Sequence, residues 1–117
     1  MKTLGLIHAA YFVLTGVWPL VHMPSFLAVT GPKTDLWLVR TVGALVTVIG
    51  LAIGAAATRG TDTATLATLA IGSAAALAAV DVVYVARGTI ARVYLVDAAA
   101  EAILIIAWTA VLLRQWH

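Results

Sequence analysis

The chain predicts an all-α membrane protein: an antiparallel four-transmembrane-helix bundle. Three observations lead there. The 117 residues are 63% hydrophobic and only 10% charged, where an ordinary soluble domain carries roughly 25% charged residues. The mean hydropathy is +1.07, so polar side chains are too few to cover a soluble core. The apolar residues also collect in four runs, each close to the roughly 20 residues that a helix needs to cross a bilayer.

The first helix is expected over residues 3–22, "TLGLIHAAYFVLTGVWPLVH". Lys2 before an apolar run is also how a signal peptide starts. No small-x-small cleavage site follows His22, however, and the run is long enough to span, so it reads as a first transmembrane helix. The second helix is expected over 36–57, the third over 64–86 and the fourth over 90–113. The connection at 23–35, "MPSFLAVTGPKTD", reads as a loop because of Pro24 and the Gly31–Pro32 pair, with Thr34 or Asp35 as cap of the next helix. Gly60 reads as a helix stop and Asp62 or Thr63 as the following cap. Gly88 should end the third helix and Thr89 cap the fourth. Trp18, Trp37 and Trp116 lie near expected helix ends, as in an interfacial aromatic belt. The whole chain is one domain, 1–117, in the cell membrane as a multi-pass protein. The excess of Arg over Lys, with abundant Ala, Val and Thr, suggests a bacterial source.

Several functions are excluded. There is no cysteine, so thiol catalysis, disulfides and thiolate metal sites are absent. A net charge of +2 without a basic run gives no footprint for nucleic acid. His8 and His22 are 14 residues apart in the sequence, roughly 21 Å along a helix, and cannot share a metal or a haem iron. No metal and no cofactor is expected. The sequence has no HExxH, no phosphate loop and no GxSxG.

The informative stretch is 94–105, "YLVDAAAEAILI", which places Asp97 and Glu101 one turn apart in an apolar helix. An unpaired charge inside the bilayer costs about 2.5–3.5 kcal/mol on the insertion scale. Call the face bearing both termini side A and the opposite face side B. Asp81 and Asp97 are equidistant from the hairpin near Thr89, so they should share a depth. Glu101 should lie roughly 12–16 Å below the side-B boundary. Arg40, His22 and Tyr84 approach from the same side. The expectation is a pocket open toward side B, with His22, Arg40, Asp81, Tyr84, Asp97 and Glu101 binding a ligand or proton. His8, Tyr11, Thr15, Trp18 and His22 recur at helical spacing and form one polar stripe. The first four should line the pocket. Three acids against one deep arginine leave an excess carboxyl, and Glu101, the deepest, is expected to keep its proton. Asp97 and Glu101 also have a structural reading, as the pair that holds Arg40. Arg87 and Arg92 read as flanking anchors, and Lys33 and Asp35 as solvated loop charges.

Gly43, Thr47, Gly50 and Gly54 form a small-residue stripe. Gly50 and Gly54 match GxxxG, a seam for helix packing inside the bundle or for a homodimer. A plan of four spans in little over a hundred residues resembles the DoxX-like proteins and the small multidrug resistance transporters. In the latter an essential glutamate lies in the first helix; the first helix here has none, so that residue does not carry over. The plan is also similar to four-helix, isomerase-like sterol-binding families, which place acids, histidine and tryptophan in a membrane pocket. The expected function is binding or transport of an unidentified small molecule, coupled to protons through Glu101. The alternative is a membrane-embedded enzyme with Glu101 and Asp97 as general acid and base on a lipophilic substrate. The expected partners are the lipid bilayer, the small molecule and a second copy of the chain.

Overall fold

The computed structural model describes residues 1–115 and is all-helical. Among the described residues the helices are α1 (Lys2–Val21), α2 (Met23–Thr30), α3 (Leu36–Arg59), α4 (Thr63–Ala86) and α5 (Tyr94–Gln115). All but α2 are long and apolar enough to cross a membrane. Trp116, assigned to the aromatic belt, lies outside the described residues.

The helix ends follow from local chemistry. Gly60 takes φ +70 at the end of α3, a left-handed conformation that costs glycine little. The Thr61 amide then bonds the Ala56 carbonyl at 3.0 Å, closing the last turn as a Schellman motif. Asp62 caps α4 by accepting from the Thr65 amide at 2.9 Å and the Thr65 hydroxyl at 3.0 Å. Gly88, at φ +72, repeats the Schellman arrangement, with the Thr89 amide bonded to the Tyr84 carbonyl at 2.8 Å. Asp35 occupies the cap position of α3 but makes no side-chain cap bond.

Two expectations need correction. Residues 23–30 are helical. Pro24 stands in the first turn of α2, where its missing N–H has no intrahelical partner to lose. His22 accepts from the Ser25 amide as the cap. Gly31, at φ +97, then terminates the helix. The residues that looked like loop punctuation are its two end signals. Helix α5 also begins four residues later than Ile90. The chain leaves Gly88 through turns, with i to i−3 bonds from Tyr94, Leu95 and Val96, and Asp97 falls in the first turn of α5.

α1 and α3 pack antiparallel along their whole length through small residues. A Cβ on Gly16 would lie 2.6 Å from the Gly43 carbonyl oxygen, and one on Gly43 would lie 2.6 Å from that of Gly16. Further along, Gly50 meets Phe12, and Gly5 meets Ala57. At the Gly50–Gly54 seam, expected to serve packing inside the bundle or a homodimer, Gly50 and Gly54 lie against Ala9, Phe12 and Val13 of α1. α4 and α5 form the other packed pair.

The two pairs join in a buried apolar core at the side-A end, where Ile53, Ala57, Leu66, Ala67 and Ala70 cluster with Trp108. The Trp108 indole N–H donates to His8 Nδ1 at 3.0 Å. His8 therefore sits in the core and does not line the cavity described below. Its ring stands edge-on to Phe12, with centroids 4.3 Å apart.

Gly16→Leu should wedge α1 from α3 and lower the stability by about 1–3 kcal/mol or more. Gly72, with open space around it, should accept the same change with little loss; melting curves in detergent compare the two. A second prediction concerns pH. The Thr65 hydrogen bonds hold the exposed Asp62 carboxyl below its ordinary value of 3.8. The cap therefore stabilises α4 above that value, and its contribution is lost as pH falls through the lower folded value. The melting temperatures of wild type and Asp62→Ala should differ at pH 6 and converge at strongly acidic pH.

Candidate functional site

Toward side B the two helix pairs separate and leave a cavity of about 510 Å³. Its walls come from all five helices. Val39, Val42 and Val46 line it from α3, Leu77 and Val80 from α4, and Val93 and Val96 from the α5 end. Its polar groups are Tyr11, Thr15, Trp18, Thr30, Lys33, Asp81, Tyr94, Asp97 and Glu101.

The acids come from two helices. Asp81 is carried on the inner face of α4, 5% exposed. Asp97 and Glu101 are one turn apart on α5, with Glu101 wholly buried. Asp81 and Asp97 are close neighbours, and two carboxyls can share a hydrogen bond only if one of them carries a proton. The Tyr11 hydroxyl donates to Asp97 Oδ1 from α1. The Tyr11–Asp97 hydrogen bond and the neighbouring Asp81 carboxyl thus form a chain of polar groups from three helices. Asp97 gains further from its place at the N-terminal turn of α5, where the helix dipole favours negative charge. Glu101 stands apart from this chain. Neither of its carboxyl oxygens has a hydrogen-bond partner, and neither does Asp81 Oδ2.

Lys33 was read as a solvated loop charge, but it lies at the cavity wall. Its ammonium donates to Thr30 Oγ1 at 2.8 Å, to the Gly31 carbonyl at 3.1 Å and to the Thr30 carbonyl at 3.3 Å. It also sits 5.2 Å from the ring centroids of both Phe26 and Tyr94, within cation–π range. It neutralises the open C-terminal carbonyls of α2 and pins that helix against α5. A Thr-Gly-Pro-Lys run at a helix end is the signal that could have placed it, had residues 23–30 been recognised as a helix.

Trp18 also serves α2. Its indole N–H donates to Ser25 Oγ at 2.8 Å, and its ring meets Phe26 edge-on with centroids 5.4 Å apart. Thr15 returns its hydroxyl to the Tyr11 carbonyl at 2.8 Å.

Of the residues assigned to the pocket from sequence, the structure brings Tyr11, Thr15, Trp18, Asp81, Asp97 and Glu101 to one cavity. It does not bring His22, Arg40, Tyr84 or His8 there. His22 is exposed, and its Nδ1 lies 2.7 Å from Ser25 Oγ. Arg40 is exposed on the outer flank of α3 and does not hold Asp97 and Glu101. Tyr84 lies beyond the cavity at the end of α4, with its ring 5.8 Å from the Arg87 guanidinium carbon. No group of acids and histidines suited to a metal ion occurs among the described residues.

Comparison with protein-family models, with characterised proteins and with solved structures gives no match. The functional reading therefore rests on the geometry of the cavity itself.

Tyr11→Phe removes the donor from Asp97 and leaves its oxygen in an apolar wall, at a cost of about 1–3 kcal/mol. A melting temperature equal to that of wild type would show that the Tyr11–Asp97 bond contributes nothing.

Proposed function

We propose that the four long helices cross the cell membrane as an antiparallel bundle, and that the cavity binds a small molecule or carries it across. Glu101 is the proton-exchanging group. One observation carries this reading. A fully buried glutamate faces a cavity of ligand size, and both of its oxygens lack a partner. Burying an unpaired carboxyl is unfavourable in any fold and more so in a bilayer, where intramembrane ionisable groups mark functional sites. A cavity of about 510 Å³ lies within the range of roughly 300–1,000 Å³ that holds small ligands. The side-B half supplies one entrance. The buried apolar core around Trp108 supports binding from that side; full transport adds a rearrangement of that core.

A second reading is favoured by the Tyr11–Asp97–Asp81 chain. Neighbouring groups of this kind can pass a proton to and from a substrate, and a membrane-embedded enzyme would use Glu101 and Asp97 as general acid and base on a lipophilic substrate. The two readings differ in the fate of the ligand.

The test is native mass spectrometry of the protein extracted from its membrane. We expect a bound small molecule in the wild type and its loss, by about tenfold or more in occupancy, from Glu101→Gln of unchanged melting temperature. Wild-type occupancy in that variant at every pH would remove Glu101 from the mechanism. Recovery of the molecule unchanged after incubation supports binding or transport, and chemical conversion supports the enzyme.

A further inference from the structure

Accepting the cavity as a ligand site, as proposed above, we infer that its occupant is a lipophilic amine, bound as the ammonium ion with its nitrogen at Asp81 and Glu101. The inference starts from the capacity left unused in the wall. Three carboxyl oxygens have no hydrogen-bond partner: Asp81 Oδ2, Glu101 Oε1 and Glu101 Oε2. Both residues are more than nine-tenths buried and both line the cavity. They are close enough for each to feel the charge of Asp97, and Asp81 that of Glu101.

The other polar groups of the wall are occupied, the Thr30 hydroxyl by the Phe26 carbonyl, except the Tyr94 hydroxyl, which has no partner among the described residues. The Tyr11 hydroxyl is given to Asp97, the Thr15 hydroxyl to the Tyr11 carbonyl and the Trp18 indole to Ser25. The one cation of the wall, Lys33, has three N–H groups, and all three are directed to the end of α2. It contributes charge near the cavity but no donor into it. The site therefore offers three open carboxyl oxygens against a single open donor, the Tyr94 hydroxyl. An anion would meet three carboxyls and no free N–H. An alcohol would satisfy one oxygen. A primary ammonium carries three N–H groups and one positive charge, so it answers both the number of open acceptors and the excess of acid. The rest of the wall, Val39, Val42, Val46, Leu77 and Val80, suits an apolar body and would not suit a hydrophilic polyamine.

The experiment titrates three probes of one skeleton, naphthylethylamine, naphthylethanol and naphthylacetate, into the full chain in lipid nanodiscs. Heats are measured by calorimetry, and empty nanodiscs correct for partitioning. The amine should bind about tenfold or more tightly than the alcohol, because charge-assisted hydrogen bonds replace neutral ones. Glu101→Gln and Asp81→Asn should each remove that preference, weakening the amine by about tenfold or more and the alcohol far less. Val46→Phe, which narrows the cavity without touching an acid, should weaken amine and alcohol alike. If a variant fails to fold, the amine-to-alcohol ratio of the wild type decides. Alcohol or naphthylacetate binding as tightly as the amine, and weakened by Val46→Phe, would overturn the amine while supporting the cavity as a binding site. Heats no greater than those of empty nanodiscs for all three probes would overturn both the amine and the binding reading.

Discussion

Gly16 and Gly43 let α1 and α3 meet backbone against backbone, and the placement of the other elements depends on that contact. With no Cβ at either position, carbonyl oxygens occupy the space where a Cβ would stand. Small residues permit such an approach in apolar surroundings, where packing replaces the hydrophobic effect as the force between helices. Once α1 is seated on α3, the side of α1 that bears His8 and Tyr11 can reach α5. His8 takes the Trp108 indole at the side-A end, and Tyr11 takes Asp97 at the side-B end. These two bonds join helix pairs that otherwise touch little along their length.

The same arrangement explains why the two ends differ. Toward side A the facing residues of α4 are Leu66, Ala67 and Ala70, small enough to close around the Trp108 indole. Toward side B the pair α4–α5 presents carboxyls, and α2 packs on α1. Carboxyls of like charge do not close on one another unless they share a proton or a cation. The cavity lies between these carboxyls and the valines of α3. α2 narrows its mouth, fixed by Trp18 on one flank and by Lys33 on the other.

The four long helices were legible because their signal is local: length, hydropathy and the Gly60, Asp62 and Gly88 end signals. The nearness of Asp81 to Asp97 was legible too, since it follows from counting residues away from a hairpin. What counting cannot supply is the direction in which a side chain points once the helices have packed. Arg40 has about the expected depth but stands one residue outside the stripe Val39–Gly43–Val46 that faces the cavity. Tyr84 follows Asp81 on nearly the same face, yet it is a turn too far toward the helix end. His22 and Lys33 were misplaced for a different reason. Their roles depend on α2, and Pro24 and Gly31 were taken as breaks when they are its first turn and its stop.

Lys33 bears on how the acids are tolerated. In water a lysine near three carboxyls would pair with one of them. Here its three N–H groups are drawn to the carbonyl end of α2, where they meet the negative end of the helix dipole, and its charge is shared with the faces of Phe26 and Tyr94. A salt bridge to Glu101 would have required both groups to leave these positions, and it would have filled the cavity with the protein's own side chain. Holding the cation at the mouth leaves the Glu101 oxygens without a partner. An internal pair would have made the same residues a structural bolt. Separation keeps the open acceptors facing the space that an external molecule can enter.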